Sequence, residues 1–348
     1  METHILKIDG SEYDPGVLLP AAKALAEGKL VAFPTETVYG LGANALDPQA
    51  VGRIFTAKGR PSDNPLIVHI SRIEEINPLV ISIPPKARIL MDEFWPGPLT
   101  LILEKSVLIS DGLTAGLPTV AVRMPDNGIA LKLIELAGVP IAAPSANLSG
   151  RPSPTDAAHV IQDLSGRVDV IIDGGSCTVG LESTVIDMTV DPPAVLRPGG
   201  ITVEMLEQKI GKVIVDKILE KDGNTAPKSP GMKYRHYSPK AEMTIVTGDT
   251  DKVVDTINEF TKKYMSENLK TGVLASKETC GRYDASVVLC PGSKERPENV
   301  AAEIYSCLRE FDDECVDVIF AEAFSEKGIG LAIMNRLKKA AAGRIINV

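Results

Sequence analysis

The sequence predicts an α/β protein in which a large twisted sheet of mixed strands precedes a small doubly wound sheet. Short apolar runs rich in β-branched residues alternate with segments of helical period along most of the 348 residues. Aromatic residues make up only 4%, so the core must consist mainly of Val, Ile, Leu and Ala. The length favours two domains over one, because a domain typically holds about 150 residues.

The amino-terminal part supplies the elements of the large sheet. Apolar runs predict strands at 30–33, 66–69, 99–103, 120–123, 141–143, 168–172 and 184–186. Segments of helical period predict helices at 18–26, 49–57, 129–137 and 157–164. The third helix follows Asp126 and Asn127, which are good capping residues, and ends before Gly138.

The sequence changes in character after about Gly211. Residues 221–240 contain three prolines and five Lys or Arg against one Asp, which excludes a regular helix or a central strand. We therefore predict a first domain over 1–212, a linker over 213–240 and a second domain over 241–348. The second domain is predicted to be doubly wound, with strands at 243–246, 272–275, 287–289 and 316–320 and helices at 253–264, 300–308 and 329–341.

Composition excludes several classes of protein. Lys and Arg total 37 against 46 Asp and Glu, and a net charge of −9 argues against non-specific coating of nucleic acid. No apolar run reaches eighteen residues, and no basic region followed by an apolar stretch stands at the start. The five cysteines include no C-x-x-C pair, which argues against a zinc site and a disulfide framework. We therefore expect a cytoplasmic protein without a membrane segment.

The common nucleotide-binding and nucleophile motifs are missing from the sequence. It contains no P-loop, no dinucleotide fingerprint after a strand and no G-x-S-x-G elbow. Small polar and cationic residues instead concentrate where predicted elements end, which is where ligands bind in α/β sheets. These segments are 33–42, 58–69, 119–123, 144–153, 181–187 and 195–199.

The cations in these segments point to an anionic ligand. Lys58 and Arg60 flank a glycine after a helix. This arrangement suits a polyphosphate, because Lys acts as a point charge and Arg can donate two hydrogen bonds to one phosphate. Arg123 ends an apolar strand, and a half-buried guanidinium needs an anionic partner. Solvated charges and turn residues such as Ser145 and Asn147 would explain each segment singly. Their shared position at element ends favours one anion-rich site.

Taken in order, these segments resemble the YrdC-type threonylcarbamoyl-AMP synthases in their long, two-domain form. In the second half, SPGMKYRHYSP at 229–239 and MNRLKKAAAGRI at 334–345 resemble the long form specifically. The order of the motifs makes the resemblance specific. The motifs of the first half are FPTETVYGLG at 33–42, KGR at 58–60, NPLIVH at 64–69, WPGPLTLIL at 95–103, VAVRMPD at 120–126, PSANLSG at 144–150, STVID at 183–187 and RPG at 197–199.

The resemblance implies a fold, a reaction and partners. The fold is an open twisted sheet of the YrdC type joined to a Rossmann-like domain. The reaction converts L-threonine, bicarbonate and ATP, with Mg²⁺ bound to the ATP, into threonylcarbamoyl-AMP and pyrophosphate. The product serves the threonylcarbamoyladenosine modification at tRNA position 37. The implied partner is the downstream tRNA threonylcarbamoyl-transferase complex, and the resemblance allows weak binding of tRNA itself.

The same resemblance assigns site residues position by position, with no protein ligand for a metal. The catalytic residues are Lys58, Arg60 and Arg123. Threonine or its carbamate would be held by Thr35, His69, Arg123, Ser183 and the Ala143 backbone. ATP would be held by Lys58, Arg60, Ser62, Thr119, Ser145, Asn147, Ser153, Arg197 and Tyr234. The linker would close over the site as a lid, and the roles of Arg235, His236 and Tyr237 beside Tyr234 stay open.

Other functions remain open at this point. A module that binds tRNA or double-stranded RNA would use Lys58, Arg60 and the linker cations, although interleaved aromatic residues for stacking are lacking. A carbamoyl transferase with a related sheet would carry acylphosphatase and zinc modules, which have no counterpart in this sequence. A docking role for the second domain would add to an enzymatic function and would not replace it.

Overall fold

The computed structural model describes residues 1–8, 13–215 and 237–348, which form two compact units. The first unit holds most of residues 1–215. The second holds residues 237–348 and the short segments Gly150–Pro152 and Val179–Leu181. Most of the predicted linker lies outside the described residues, as do Tyr234, Arg235 and His236. The linker, its role as a lid and the domain boundaries therefore stay predictions.

The first unit is built on one eleven-stranded sheet, which confirms the predicted large mixed sheet. Its order is β1-β8-β2-β3-β7-β4-β6-β5-β9-β10-β11. At its centre β4 runs parallel to β6, whereas β5 runs antiparallel to β6. The strands are β1 (His4–Lys7), β2 (Val31–Phe33), β3 (Gly40–Asn44), β4 (Ile67–His69), β5 (Leu99–Glu104), β6 (Thr119–Arg123), β7 (Ile141–Ala142), β8 (Val170–Asp173), β9 (Thr184–Asp187), β10 (Ala194–Arg197) and β11 (Ile214–Val215).

Local capping defines the helices of this unit. The carboxylate of Asp47 accepts a hydrogen bond from the Gln49 amide at the start of α2, and Gly59 ends that helix in the left-handed region at φ 59°. This stop places Lys58 in the last turn of α2. The helices are α1 (Leu19–Ala26), α2 (Pro48–Lys58), α3 (Pro85–Phe94), α4 (Asp111–Thr114), α5 (Gly128–Ala137), α6 (Ala157–Leu164) and α7 (Val203–Ile210).

The sequence analysis missed several elements, namely β1, β3, β10, β11, α3, α4 and α7 of this unit and the strand Ile345–Asn347 of the second unit; β3 shows why. Gly40 and Gly42 weaken the strand signal of this segment because glycine is disfavoured in strands. In the sheet, a Cβ on Gly42 would lie 2.8 Å from the Phe33 ring and 2.9 Å from Ile141. Packing against the neighbouring strands, which the local pattern does not reveal, therefore requires glycine there.

The two faces of the large sheet are covered differently. One face carries an extensive apolar cluster to which α2, α3, α6 and α7 contribute. The other face is covered by α1 and α5 near β2 and β8. Around β4, β6, β5, β9 and β10 that second face carries a small cluster made only of strand residues. The cluster consists of Ile67, Ile102, Ala121, Val185, Ala194 and Leu196.

The second unit is a five-stranded parallel sheet, which confirms the predicted doubly wound fold. The strand order is β14-β13-β15-β12-β16, and every paired neighbour runs parallel. The strands are β12 (Glu242–Thr247), β13 (Thr271–Leu274), β14 (Val287–Leu289), β15 (Val318–Glu322) and β16 (Ile345–Asn347). The helices are α8 (Thr250–Ser266), α9 (Pro297–Asp313) and α10 (Gly330–Ala340).

Tyr237 is the one member of the Tyr234–Tyr237 group that the structure describes. Its ring is buried in the second unit and stacks on the ring of Tyr305 at a centroid distance of 5.4 Å. The guanidinium of Arg336 lies 5.6 Å from the same ring. These contacts give Tyr237 a packing role within the second unit.

Helix lengths bear on the expected absence of a membrane segment. The longest of these helices, α8 and α9, have 17 residues each. A helix that crosses a bilayer needs about 20 mostly apolar residues. Within 1–8, 13–215 and 237–348, no helix combines the length and the hydropathy needed for crossing.

A buried carboxylate joins the strand ends of the second unit. Glu322, at the end of β15, is only 1% exposed. It accepts hydrogen bonds from Ser276 at 3.0 Å, Tyr283 at 2.7 Å and Thr279, and Lys294 Nζ lies 2.7 Å away. Burial alone would raise the pKa of Glu322, but the hydrogen bonds from Lys294, Thr279 and Tyr283 together outweigh burial and lower the pKa below its usual range.

Replacing this carboxylate should destabilise the second unit. In Glu322→Gln, the donors that face the carboxylate lose their charged acceptor, and we expect the free energy of unfolding in urea to fall by about 2 kcal/mol at neutral pH. Because the pKa of Glu322 is lowered in the folded state, the extra stability of the wild type over the variant depends on pH. It is fully present above the unfolded Glu pKa of about 4.3 and disappears as pH falls through the folded-state pKa.

A surface carboxylate of the same unit provides the control. Glu326 pairs with the exposed Lys338 at 2.6 Å. Glu326→Gln should change the free energy of unfolding by less than ~1 kcal/mol. Equal effects of the two substitutions would contradict the role assigned to Glu322.

Candidate active site

Polar side chains from neighbouring strands form a row across the centre of the large sheet. Arg123 on β6 stands opposite His69 on β4 and opposite Thr100 on β5. Thr100 and Arg197 each stand opposite Val185 on β9. Directly opposed residues share a face of the sheet. The row therefore lies on the face with the small apolar cluster, to which no helix contributes.

Arg123 contacts groups from two loops. Its side chain is buried, and Nη2 lies 2.6 Å from Glu36 Oε2. Nη1 donates to the Thr37 hydroxyl at 2.8 Å, and Nε donates to the Gly97 carbonyl at 3.3 Å. The hydroxyl oxygens of Thr37 and Thr35 lie 2.8 Å apart. The anionic partner that the sequence required for Arg123 is thus a carboxylate of the chain itself.

His69 stands beside Arg123 as a neutral imidazole. Burial and then the charge of Arg123 lower the pKa of His69 to about 3. The Ile67 carbonyl lies 3.2 Å from His69 Nδ1. The same carbonyl accepts a hydrogen bond from the backbone amide of Ala143 at 2.9 Å. This shared carbonyl brings the Ala143 backbone next to His69, so Thr35, His69, Arg123 and Ala143 belong to one region.

Ser183 and Arg197 extend this region toward β9 and β10. Arg197 donates to the Ser183 carbonyl at 3.0 Å through Nε and to its hydroxyl at 3.1 Å through Nη2. The Ser183 hydroxyl lies 2.7 Å from that of Thr100. Next in the chain, Glu182 accepts a hydrogen bond from Ser153 at 2.5 Å. Ser183, Arg197 and Ser153 are therefore brought close together.

Lys58 organises a second group of predicted residues. Its ammonium donates to the carbonyls of Ser145 at 2.5 Å and Asn147 at 2.6 Å. The Ser145 hydroxyl also donates to Asn147 Oδ1 at 2.5 Å. Lys58 is only 3% exposed, which excludes the alternative of a solvated surface charge. A bridge between Ser145 and Gly40 ties this group to the segment that carries Thr35.

The remaining predicted residues lie at the margins of these groups. Arg60 is partly buried and approaches the Asn64 carbonyl at 3.5 Å, whereas Ser62 is exposed in the loop after it. Thr119 starts β6 and shares a face with Arg123, about 13 Å along the strand.

Within the ranges that the structure describes, no group of three or more His, Cys, Asp or Glu side chains is suited to a metal.

Several residues of the site, among them Glu36, Thr100 and Glu182, had no assigned role in the sequence analysis. Glu36 and Glu182 stood inside recognised motifs, next to Thr35 and Ser183, and Thr100 stood inside a predicted strand. For Glu36 the available signal was the need of the half-buried Arg123 for an anionic partner, which a carboxylate inside a neighbouring motif can supply. Thr100 and Glu182 gave no such signal, since strand register and a loop bring them to Ser183 and Ser153.

Family models match nearly the whole chain. The Sua5/YciO/YrdC model, described as telomere recombination, matches residues 23–199. The model for the threonylcarbamoyl-AMP synthase C-terminal domain matches residues 201–342. The two models together correspond to the long form that the motifs resemble.

Curated relatives and solved structures agree with these models. The threonylcarbamoyl-AMP synthase of Pyrococcus abyssi is 54% identical over 94% of this chain and 95% of its own. That of Bacillus subtilis is 53% identical over 97% of this chain and 96% of its own. The crystal structure of P. abyssi Sua5 complexed with L-threonine matches with a TM-score of 0.94 and 51% identity over 100% of both chains. The chain therefore belongs to the threonylcarbamoyl-AMP synthase family in its two-domain form, and it is an enzyme of the nucleotidyltransferase class.

Proposed function

We propose that this chain joins L-threonine, bicarbonate and ATP into threonylcarbamoyl-AMP and releases pyrophosphate. The supporting observation is the set of buried cations Lys58, Arg123 and Arg197, which lie at the end of α2 and on strands β6 and β10, each held by groups from other segments. A second supporting observation is that the closely similar P. abyssi protein is described in complex with L-threonine.

The region around Arg123 suits the amino acid. Its guanidinium would pair with the carboxylate of threonine, and the hydroxyls of Thr35 and Ser183 would serve as neutral hydrogen-bonding partners. Neutral His69 adds a polar contact without adding charge. Burial strengthens each of these interactions because the local dielectric constant is low.

The region around Lys58 suits the nucleotide. Lys58, Arg60 and Arg197 would face the phosphates, with Ser62, Thr119, Ser145, Asn147, Ser153 and Tyr234 as further contacts. Threonylcarbamate is an anion that attacks an anionic α-phosphate, so charge repulsion and alignment form the main barrier. Fixed cations lower that barrier by electrostatic stabilisation and positioning, and no side-chain nucleophile is required. Mg²⁺ would be carried by the ATP phosphates.

The chemistry of the product defines the place of this reaction in the cell. A mixed anhydride of a carbamate and AMP is an activated acyl donor, so an acceptor must follow. We propose that the acceptor is adenosine 37 of tRNA, modified by a downstream threonylcarbamoyl-transferase complex in the cytoplasm. Residues 213–240 would act as a lid that keeps water from the intermediate.

The decisive experiment measures pyrophosphate release by the full chain. We expect release only when ATP, bicarbonate and L-threonine are all present, and omission of any one should abolish it. Release that ignores threonine would overturn the proposal. Salt-dependent RNA binding without such release would instead support the alternative of an RNA-binding module.

Lys58→Met should impair catalysis without unfolding the protein. Loss of one fixed charge that faces the phosphates should lower kcat about 100-fold, corresponding to about 3 kcal/mol of transition-state stabilisation. The control is Lys86→Met, since Lys86 is an exposed lysine of the same unit that pairs with Asp191. A Lys58→Met enzyme as fast as the control would remove Lys58 from the catalytic site.

His69 should remain neutral across the working pH range. With its pKa lowered to about 3, its ring resonances in proton NMR should not shift between about pH 5 and 8. Comparison with His69→Gln identifies those resonances. An inflection near the usual His pKa of about 6.5 would contradict the buried, neutral assignment.

A further inference from the structure

Glu36 is a buried carboxylate with unused hydrogen-bonding capacity. It is 6% exposed and lies between Thr35 and Thr37 in the chain, and the Thr37 hydroxyl accepts a hydrogen bond from Arg123. Oε2 forms an ion pair with Arg123 Nη2 at a distance of 2.6 Å. Within the part of the chain that the structure describes, neither Glu36 oxygen accepts a hydrogen bond.

An arrangement of this kind is costly unless something else completes it. A buried ion pair offsets its desolvation only when further hydrogen bonds satisfy its remaining lone pairs and protons. Apart from their mutual ion pair, Glu36 and Arg123 Nη2 find no hydrogen-bond partner for Oε1, Oε2 or Nη2 among the described residues. The pair therefore has capacity for a ligand that brings both a cation and an anion.

An α-amino acid is a ligand of that kind. Its carboxylate matches the guanidinium of Arg123, and its ammonium matches the carboxylate of Glu36. We propose that Glu36 binds the ammonium of the amino-acid substrate and takes the proton that the amine must lose before it is carboxylated. This inference rests on the proposed function and assigns one step of it to Glu36.

The proposed step is balanced in atoms and charge. The ammonium gives one proton to Glu36 Oε1, which leaves a free amine. The nitrogen lone pair then attacks the carbon of bicarbonate, so the C–N bond forms as a C–O bond breaks. The leaving hydroxide takes a second proton from nitrogen and departs as water, which yields the carbamate. Glu36 afterwards releases its proton to solvent.

The neighbouring titratable groups do not compete for this role. His69, beside Arg123, stays neutral because burial and the guanidinium lower its pKa to about 3. Cys177 interacts electrostatically with Glu36 and Arg123, and burial raises the pKa of its thiol, so it remains protonated. Of the groups described around the pair, Glu36 is the carboxylate placed to accept a proton.

Glu36→Gln tests the proposal through two readouts on the full chain. Calorimetric binding should weaken more than about 30-fold for L-threonine but barely change for 3-hydroxybutanoate, which is threonine without its amino group. The variant's kcat/KM for threonine should rise about tenfold per pH unit above neutrality, because only the free amine then reacts. The wild-type profile should be much flatter.

Thr37→Val is the matched control, because it removes another Arg123 contact, at 2.8 Å, and keeps the carboxylate. It should raise the KM for threonine without making the pH profile steeper. The same steep profile in both variants, or a wild-type profile in Glu36→Gln, would overturn the inference. If Glu36→Gln does not fold, the affinities of the wild-type protein for threonine and 3-hydroxybutanoate are compared instead. Equal affinity for the two ligands would overturn the inference. Absence of threonine-dependent pyrophosphate release in the wild type would instead reject the proposed function.

Discussion

The burial of Arg123 is the constraint on which the candidate site depends. A guanidinium at the centre of a sheet has lost its hydration, and its charge must be compensated by groups brought from elsewhere. Glu36 and Thr37 come from the loop after β2, and the Gly97 carbonyl comes from the segment before β5. These contacts hold two loops against the end of β6, so the same interactions that stabilise the cation also shape the region around it.

The other buried cations donate hydrogen bonds to groups from other segments. Lys58 donates to the carbonyls of Ser145 and Asn147, and Arg197 donates to the carbonyl and hydroxyl of Ser183. These contacts orient both side chains. A chain with net charge −9 therefore gathers several buried cations in its candidate site. Such a site suits a reaction between two anions, in which alignment and charge stabilisation replace a nucleophile.

The two sheets serve different purposes in the part of the chain that the structure describes. The large mixed sheet leaves one face without helices around β4, β6 and β5, and the polar row lies on that face. The parallel sheet of the second unit instead gathers its strand ends around Glu322, whose carboxylate already has several donors. Unused hydrogen-bonding capacity at Glu36 and satisfied capacity at Glu322 thus separate a candidate reactive group from a structural one.

Local patterns in the sequence determined the fold class, most strands, the ends of α5, and the residue types of the candidate site. Strand periodicity and helix caps depend on near neighbours along the chain, so they can be read without a structure. Only the tertiary structure decided that Glu36 is the partner of Arg123, that Thr100 faces Ser183, and that Gly42 belongs to a strand. These features depend on strand register and loop placement, which bring together residues far apart in the chain and leave no local pattern.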